Sequence, residues 1–514
     1  GANGVILVTT KRGKGEEVDV SFSAYTGMNV GPKQFDMMNA DQYADFYNAV
    51  YDATTTERQF AYSDEFRRWY YGDGWQEGTD WQEEILQKRH TNNVHLGVSQ
   101  GGEKANYSIS LNVFDEEGIL LNTNSRRYNF RANSDFQINK YIKIGESLSL
   151  KRSKWRTGNG SAWGMALESS PLMKVYNPAN KEGFEGSQNS ILWDPDGDGI
   201  GNDADGDGEA DYISNTGAND KFNPRGMLAI PEDMHYSDNL MGKIYMEITP
   251  TPWLTFTTTP SITAYFAEHN DWVPAYDMGP RSVTAATLAH NFNKGSTYSL
   301  ENKLSFDHTF GDHYVNAIAV QQYRYGDYAN SSVDAAGFPY EQLNVISQSD
   351  PEGRVATGGR SDFSFAELAY LARLIYNYQS RYLLTASYRI DGSSNFGPGN
   401  RIGRFPSFSV AWKLNEDLLR QVDEINMLKL RAGWGITGNA DIGGFRYQTS
   451  LAEPVHFSPV FGVNQEEATA LNELWTVGNP LIRWEGARMT NIGADLNAFG
   501  NKLQFSTEYY IKNS

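Results

Sequence analysis

The sequence contains no cysteine, which excludes disulfide bonds, thiolate metal ligands and a cysteine nucleophile. It has no run of apolar residues near the roughly 18 that a membrane-spanning helix requires, so a helical membrane protein is excluded. Basic residues are outnumbered, at 44 against 63 acidic ones, and the net charge of −19 argues against nucleic acid as a partner. Proline is scarce, at 18 of 514 residues, whereas glycine reaches 49, which suits many strands joined by turns.

Aromatic side chains are abundant in this chain. Tyrosine (30), phenylalanine (26) and tryptophan (12) together make up 13% of the residues. Disordered chains are poor in aromatic residues, so disorder is excluded as the overall state. Hydrophobic residues nevertheless reach only 39%. The chain is therefore polar on average, rich in aromatic rings and ordered.

Alternation of apolar and polar side chains is the strongest local pattern. Tyr107, Ile109 and Leu111 alternate with Ser108 and Ser110, and similar runs lie at 127–138, 383–391, 407–414, 428–436, 492–498 and 503–511. This period of two predicts an all-β protein, with runs near the ~9–11 residues of a tilted membrane-spanning strand. A soluble sheet with one face on a core gives the same alternation, so the pattern alone leaves both architectures open.

The predicted connections come in two alternating lengths. Short turns fall near residues 101–103, 139–141, 249–252, 311–313, 379–381 and 500–502. Longer connections fall at about 153–236, 267–294, 326–362 and 438–488. Short turns on one rim and long loops on the other are typical of outer-membrane barrels, in which the short turns are periplasmic. A long excursion at 36–90 is predicted to contain short helices near 41–47 and 81–86.

Several segments resemble, in order, the SusC/RagA branch of the TonB-dependent transporters. Residues 1–14 resemble the last strand of the family's plug domain, and residues 92–102 resemble its second barrel strand and first turn. Further resemblances lie at 381–397, 404–407, 428–439, 479–485 and 507–512. Together they extend over nearly the whole chain and leave only the long loops unmatched.

The resemblance implies a transmembrane antiparallel β-barrel of the plugged type with about 22 strands. We expect residues 1–15 to be the C-terminal end of the plug domain and residues 16–514 to be a partial barrel of about 15 strands. Residues 153–236 are expected to form a long extracellular loop. The chain is accordingly expected to be a piece of a longer protein.

The resemblance also implies a function, namely active import of a nutrient across the outer membrane. The implied partners are a SusD-like surface lipoprotein, the TonB complex and the lipid of the outer membrane. A glycan or oligosaccharide is the leading expectation for the cargo, and a peptide is the alternative within the family. No covalent chemistry is implied, so we expect no catalytic residues and no enzyme activity.

Two functions of other classes remain to be weighed. One is a surface β-protein, stabilised by calcium, that binds glycans. The other is a β-rich hydrolase, for which the sequence offers no catalytic constellation. Gly433–Gly438 fits the spacing of a dinucleotide-binding loop, but no helix is predicted to follow it.

An acidic segment at 194–211 contains seven aspartates and one glutamate with no basic residue. Oxygen ligands at alternating positions, with glycine for the sharp turn, are typical of calcium loops. The segment therefore predicts a structural calcium site, although a solvated acidic loop is the alternative. The predicted ligands are Asp194, Asp196, Asp198, Ile200 through its carbonyl, Asn202, Asp203, Asp205, Asp207 and Asp211.

Histidines and loop tryptophans are weaker signals. The eight histidines are scattered, and the pairs His90/His95 and His308/His313 do not share a helix face that could bind a metal. They are interpreted as polar residues of the rim or lumen. Tryptophans in the predicted loops could stack on sugar rings, but ordinary packing is the favoured interpretation: Trp69, Trp75, Trp163, Trp193 and Trp272.

Overall fold

The computed structural model describes residues 13, 15–54, 68–69, 72, 76–187, 191–192, 212–213, 221–278, 282–340, 344–360, 364–452 and 473–513. The predicted plug end at 1–15 therefore lies outside the described residues, apart from Gly13 and Gly15. The nine predicted calcium ligands lie outside them altogether. Among the described residues, no helix has both the length and the hydropathy needed to cross a lipid bilayer.

Strands dominate the described part of the chain. They are β1 (Asp19–Asn29), β2 (Arg89–Gly101), β3 (Ala105–Glu117), β4 (Asn124–Asn139), β5 (Ile142–Thr157), β6 (Ile191–Leu192), β7 (Tyr212–Ile213), β8 (Glu232–Thr251), β9 (Leu254–Val273), β10 (Thr287–Phe310), β11 (His313–Ala336), β12 (Arg354–Arg360), β13 (Phe365–Tyr378), β14 (Tyr382–Ser393), β15 (Ile402–Lys413), β16 (Ile425–Asn439), β17 (Ser450–Ala452), β18 (Glu473–Thr476), β19 (Glu485–Ala498) and β20 (Leu503–Asn513). The helices are α1 (Ala40–Thr54), α2 (Trp81–Ile85), α3 (Ala162–Glu168) and α4 (Pro224–Ala229), with short 3-10 turns at Ile346–Gln348, Pro351–Gly353 and Leu414–Glu416.

Sixteen of the described strands form one antiparallel sheet. Fifteen follow one another in the order β1-β2-β3-β4-β5-β8-β9-β10-β11-β13-β14-β15-β16-β19-β20, and β12 pairs with the upper part of β11. This confirms the all-β fold and the expected number of strands. The pairs β6–β7 and β17–β18 are separate small hairpins within the connections.

One face of the sheet is apolar and exposed. The register places Phe22 opposite Leu96, Leu96 opposite Leu111, and Leu111 opposite Phe130. Phe22 and Leu111 are 69% and 45% exposed, respectively. A continuous apolar surface of this kind is unfavourable in water but favourable against lipid. Aromatic rings border this apolar surface on the short-turn side. The ring centroid of Tyr382 lies 6.2 Å from that of Tyr378 and 6.1 Å from that of Trp412, as expected of a membrane-interface girdle.

The opposite face is polar in the same register. Ser23, His95, Asn112, Asn129 and Lys151 occupy successive cross-strand positions. The amide of Asn129 donates to the side-chain oxygen of Asn112 at 3.3 Å, and Asn112 donates to Asn93 at 2.6 Å. The alternation in the sequence therefore separates an apolar outer face from a polar inner one.

The predicted alternation of short and long connections is confirmed. Strands are joined on one rim by short turns such as 140–141, 252–253 and 311–312. On the other rim they are joined by long connections at 30–88, 158–231, 274–286, 337–364 and 440–484, with shorter ones at 118–123 and 394–401. The predicted long loops at 267–294 and 326–362 were too long, because β9, β10 and β11 continue far beyond a membrane's thickness. The face of β10 that carries Leu300 and Leu304 continues upward with polar residues such as Ser296 and Lys294. Alternation is therefore lost there, although the hydrogen-bond ladder continues.

The largest buried apolar cluster among the described residues lies in the long connections. Trp81 and Ile85 of α2 pack with Ala162 of α3 and with Met173 and Met227. Trp81 also donates from its indole nitrogen to the backbone oxygen of Ser170 at 2.9 Å. Three connections, 30–88, 118–123 and 158–231, are thereby fixed together as one small folded unit on the long-loop rim. The predicted helix positions at 41–47 and 81–86 agree with α1 and α2.

Side-chain caps explain why such short helices form here. Asp80 accepts hydrogen bonds from the backbone nitrogens of Gln82 and Glu83 at the start of α2. Asn223 does the same at the start of α4 and, fully buried, also donates to the backbone oxygens of Val175 and Glu185 at 2.9 and 3.0 Å. Capping satisfies the free amides at a helix start and contributes about 1 kcal/mol each.

Candidate functional site

Charged residues on the polar face of the sheet are paired with one another. The ion pairs among the described residues include Arg324–Glu367 at 2.8 Å, Arg389–Asp391 at 2.7 Å, Arg431–Glu508 at 2.9 Å and Lys429–Asp495 at 3.3 Å. Half-exposed pairs of this kind contribute little to stability because water competes for both charges. These pairs neutralise part of the charge on the polar face.

A cavity of about 1000 Å³ lies where this polar face meets the long connections. Strands β9, β10, β11 and β13 contribute one wall, and the connections after β14 and β16 contribute the other. The lining residues are Tyr265, Asn293, Tyr328, Ala329, Asn330, Phe365, Asn395, Asp441, Ile442, Gly443, Gly444 and Arg446.

Two glycines leave the space that the aromatic rings of this cavity occupy. Gly295 pairs with Tyr265 on one side and with Tyr328 on the other. A Cβ atom on Gly295 would lie 2.4 Å from each of the two rings. Gly326 has the same relation to Phe365, at 2.5 Å. The rings of Tyr265 and Tyr328 lie 6.3 Å apart, and those of Tyr328 and Phe365 lie 6.5 Å apart. The absence of side chains at the two glycines thus creates a row of three rings.

Polar groups complete the lining. Asn293 and Asn330 are direct cross-strand partners at the top of the aromatic row. Asn395 donates from its amide to the backbone oxygen of Ala440 at 3.3 Å, which ties together the two connections that form the other wall. Asp441 and Arg446 follow on the second connection and carry opposite charges into the cavity. Flat rings with amides and a few charges suit a ligand with apolar faces and many hydroxyl or amide groups.

The structure tests some of the sequence predictions for individual site residues, and others lie outside the described residues. The acidic segment lies outside the described residues, but β6 and β7 bracket it, with Ile191 opposite Ile213 and Leu192 opposite Tyr212. Trp163 and Trp272 pack in hydrophobic clusters, in agreement with ordinary packing. The predicted loop position of Trp272 was wrong, because this residue lies in β9. Sequence reasoning missed the cavity residues. Alternation could have assigned Tyr265 and Tyr328 to the polar face, but only the sheet register brings them together over Gly295.

An antiparallel sheet with one apolar exposed face, one polar face, short turns on one rim and long connections on the other is the architecture of an outer-membrane β-barrel. No family model matches the chain. The chain is 27% identical over 526 residues to TonB-dependent receptor P3 of Formosa agariphila, covering 99% of this chain and 46% of that protein. It is 23% identical over 537 residues to the TonB-dependent receptor SusC of Bacteroides thetaiotaomicron, covering 99% of this chain and 48% of SusC.

Comparison of structures agrees with the sequence matches. The structure of the RagAB peptide transporter matches with a TM-score of 0.74 at 19% identity, covering 99% of this chain and 56% of that chain. The chain thus spans about half the length of the curated relatives it matches. It is homologous to part of the TonB-dependent receptors of the SusC type, which are outer-membrane β-barrel proteins, as its sequence motifs indicated.

Proposed function

We propose that this chain forms part of an outer-membrane, TonB-dependent importer, with a SusD-like lipoprotein and the TonB complex as partners. The observation that carries the proposal is the cavity with its row of three aromatic rings, on the polar face of the sheet beneath the long connections. Cargo captured there would lie inside the barrel on its way to the periplasm. The homology to SusC-type receptors supports this placement. Residues 1–15 would then be the end of the plug, and no enzymatic step is proposed.

A glycan is the cargo class that the lining favours. Sugar rings have apolar faces that pack flat on aromatic rings, and their hydroxyls pair with amides that can donate and accept. Tyr265, Tyr328 and Phe365 supply the first kind of contact, and Asn293 and Asn330 supply the second. A peptide is the second candidate, since the matching RagAB structure is that of a peptide transporter and amides equally suit a peptide backbone.

Deletion of the gene for the full-length receptor in its host tests the import proposal. We expect growth on one class of complex glycan to be lost while growth on the constituent monosaccharides continues, since small sugars do not need an active importer. Uptake of a fluorescently labelled oligosaccharide should fall in parallel. Loss of growth on peptides instead would assign the second cargo. A strain that grows normally on every glycan and peptide tested would contradict import.

We also propose calcium as the ligand of the acidic segment 194–211. The hairpin of β6 and β7 supports this proposal, because it brings the two ends of the segment together, and a closed loop concentrates its carboxylates. Carboxylates at that density repel one another unless a cation neutralises them. The ion would then stiffen the long connection at 158–231.

Protease digestion of the full-length receptor tests the calcium proposal. We expect Ca²⁺ at about 10⁻⁴–10⁻³ M to protect the segment from cleavage, because this is the usual affinity of extracellular calcium modules. The triple substitution of Asp196, Asp198 and Asp205 by asparagine should abolish the protection. Equal protection by Mg²⁺, or protection that survives the triple substitution, would exclude a specific calcium site.

A further inference from the structure

Two histidines and two aspartates face one another at the ends of β8 and β9 farthest from their joining turn. His235 is the direct cross-strand partner of His269, and Asp233 is the partner of Asp271. All four residues occupy odd-numbered positions, as Asn239 does on β8 and its partner Tyr265 does on β9. They therefore lie on the polar face of the sheet. The two strands contain mirror-image motifs, Asp-x-His in β8 and His-x-Asp in β9, which antiparallel pairing brings together.

The ligand atoms of three of these residues converge. The Nε2 atoms of His269 and His235 lie 2.6 and 2.9 Å from the same oxygen, Oδ1 of Asp233. All three ligand atoms lie within 4.8 Å of one another. Bonds to a transition metal are about 2.0–2.2 Å long for imidazole nitrogen and carboxylate oxygen, so small shifts would let one ion reach all three atoms.

Neighbouring groups hold this arrangement in place. The imidazole rings of His235 and His269 are parallel within 3° at a distance of 4.2 Å. Trp155 of β5 stacks on the other side of His235, with ring centroids 5.0 Å apart and ring planes within 2° of parallel. The hydroxyl of Thr157 donates to the Asp233 carboxylate. Such outer contacts fix ring and carboxylate orientations, as is usual around metal ligands.

Access and charge also favour a cation. The side chains of Asp233, His235 and His269 are 24–33% exposed, so an ion can reach them from the polar face. Asp271 lies directly opposite Asp233. Like charges at directly opposed positions of a sheet are destabilising, and a divalent ion would remove that repulsion.

We propose that Asp233, His235 and His269 form a binding site for a divalent transition-metal ion. Two imidazoles and one carboxylate favour ions such as Zn²⁺ over Ca²⁺ or Mg²⁺, which prefer oxygen ligands. The bound ion links β8 to β9 where the connections 158–231 and 274–286 join these strands. The site shares no residue with the acidic segment or with the lining of the cavity, so it stands whether or not the import proposal holds.

Titration of the full-length receptor with ZnCl₂ tests this site. The protein is first stripped with EDTA, and excess Ca²⁺ is then kept present to saturate the acidic segment. Calorimetry and elemental analysis are expected to give one zinc per chain at micromolar concentrations. His269→Phe and Asp233→Asn should each weaken binding at least ~10-fold, the lower end of what loss of even a second-shell partner costs.

Two controls separate ligation from packing. His269→Phe keeps a flat ring against His235 but has no nitrogen to bind the ion, so its barrel should fold as the wild type does, by heat-modifiable migration on gels. His290→Ala removes a histidine of β10 that contacts Asn270 on the other face, and zinc binding should be unchanged. Failure of the wild type to bind zinc at about 100 µM, far above the micromolar range expected, would overturn the proposal. Binding that both site variants retain would overturn it equally.

Discussion

Arginine in place of Leu111 is expected to destabilise the folded barrel by about 2–4 kcal/mol, because it would put a charge into the hydrocarbon layer. Leu111 lies in the middle of β3, 45% exposed, on the apolar face. Its cross-strand neighbours Leu96 and Phe130 are apolar as well. The measurement is a urea titration of the full-length receptor in lipid vesicles, with the folded fraction read from heat-modifiable gel migration.

The adjacent residue provides the matched control. Asn112 is the next position on β3, and its side chain lies on the polar face with Asn93 and Asn129. Asn112→Arg adds the same side chain to a hydrated surface, so we expect only the loss of the hydrogen bonds to Asn93 and Asn129, about 1 kcal/mol. Equal destabilisation by the two variants would mean that the apolar face does not meet lipid, and the membrane interpretation would fail.

Valine in place of Gly295 is expected to weaken cargo binding in the cavity strongly. The two tyrosine rings, Tyr265 and Tyr328, occupy the space of the missing side chain, with ring atoms 2.4 Å from the position of a Cβ. A β-branched side chain would push both rings off the wall and break the aromatic row. Loss of two stacking contacts, each about 1–1.5 kcal/mol, corresponds to roughly 30- to 150-fold weaker binding. Calorimetry with the oligosaccharide identified by the growth assay measures it.

A second glycine separates the effect on the rings from the effect of valine in a strand. Gly242 of β8 lies on the apolar face, as Leu240 does. A Cβ there would meet Ile262 at 3.5 Å and Leu148 at 3.9 Å, both ordinary van der Waals contacts. We expect Gly242→Val to bind cargo as the wild type does. Tyr328→Ala, which removes one ring without adding bulk, should weaken binding about 10-fold. If Gly295→Val and Tyr328→Ala both bind cargo with wild-type affinity, the aromatic row does not contribute to cargo binding.

Much of the fold could be predicted because strand patterning is local. The alternation of Tyr107, Ile109 and Leu111 with serines is a property of consecutive residues, and it correctly separated the two faces of β3. The short turns were predictable for the same reason. The predicted ends of β10 and β11 were wrong, and two long loops were predicted too long, because polar residues such as Lys294 interrupt the alternating pattern there.

The candidate sites were much less predictable, because each joins residues from several strands. His235 and His269 lie 34 positions apart in the sequence and were interpreted only as scattered polar residues. The register of β8 against β9 makes them neighbours. Asn395 and Asp441 reach the cavity because two separate connections fold over the same part of the sheet. A shift of register by one residue would reverse both faces and remove every one of these contacts.

The sequence by itself determined the class of this protein. Its alternating strands and unequal connections are typical of an outer-membrane β-barrel, in which only every second strand residue need be apolar. The ordered resemblances to the SusC/RagA branch favour that architecture over a soluble sheet, which alternation alone leaves open. Only the tertiary structure decided where function could reside. The aromatic row over Gly295 and the His–Asp cluster depend on cross-strand register, which pairs residues that are far apart in the sequence and therefore cannot be seen within one strand.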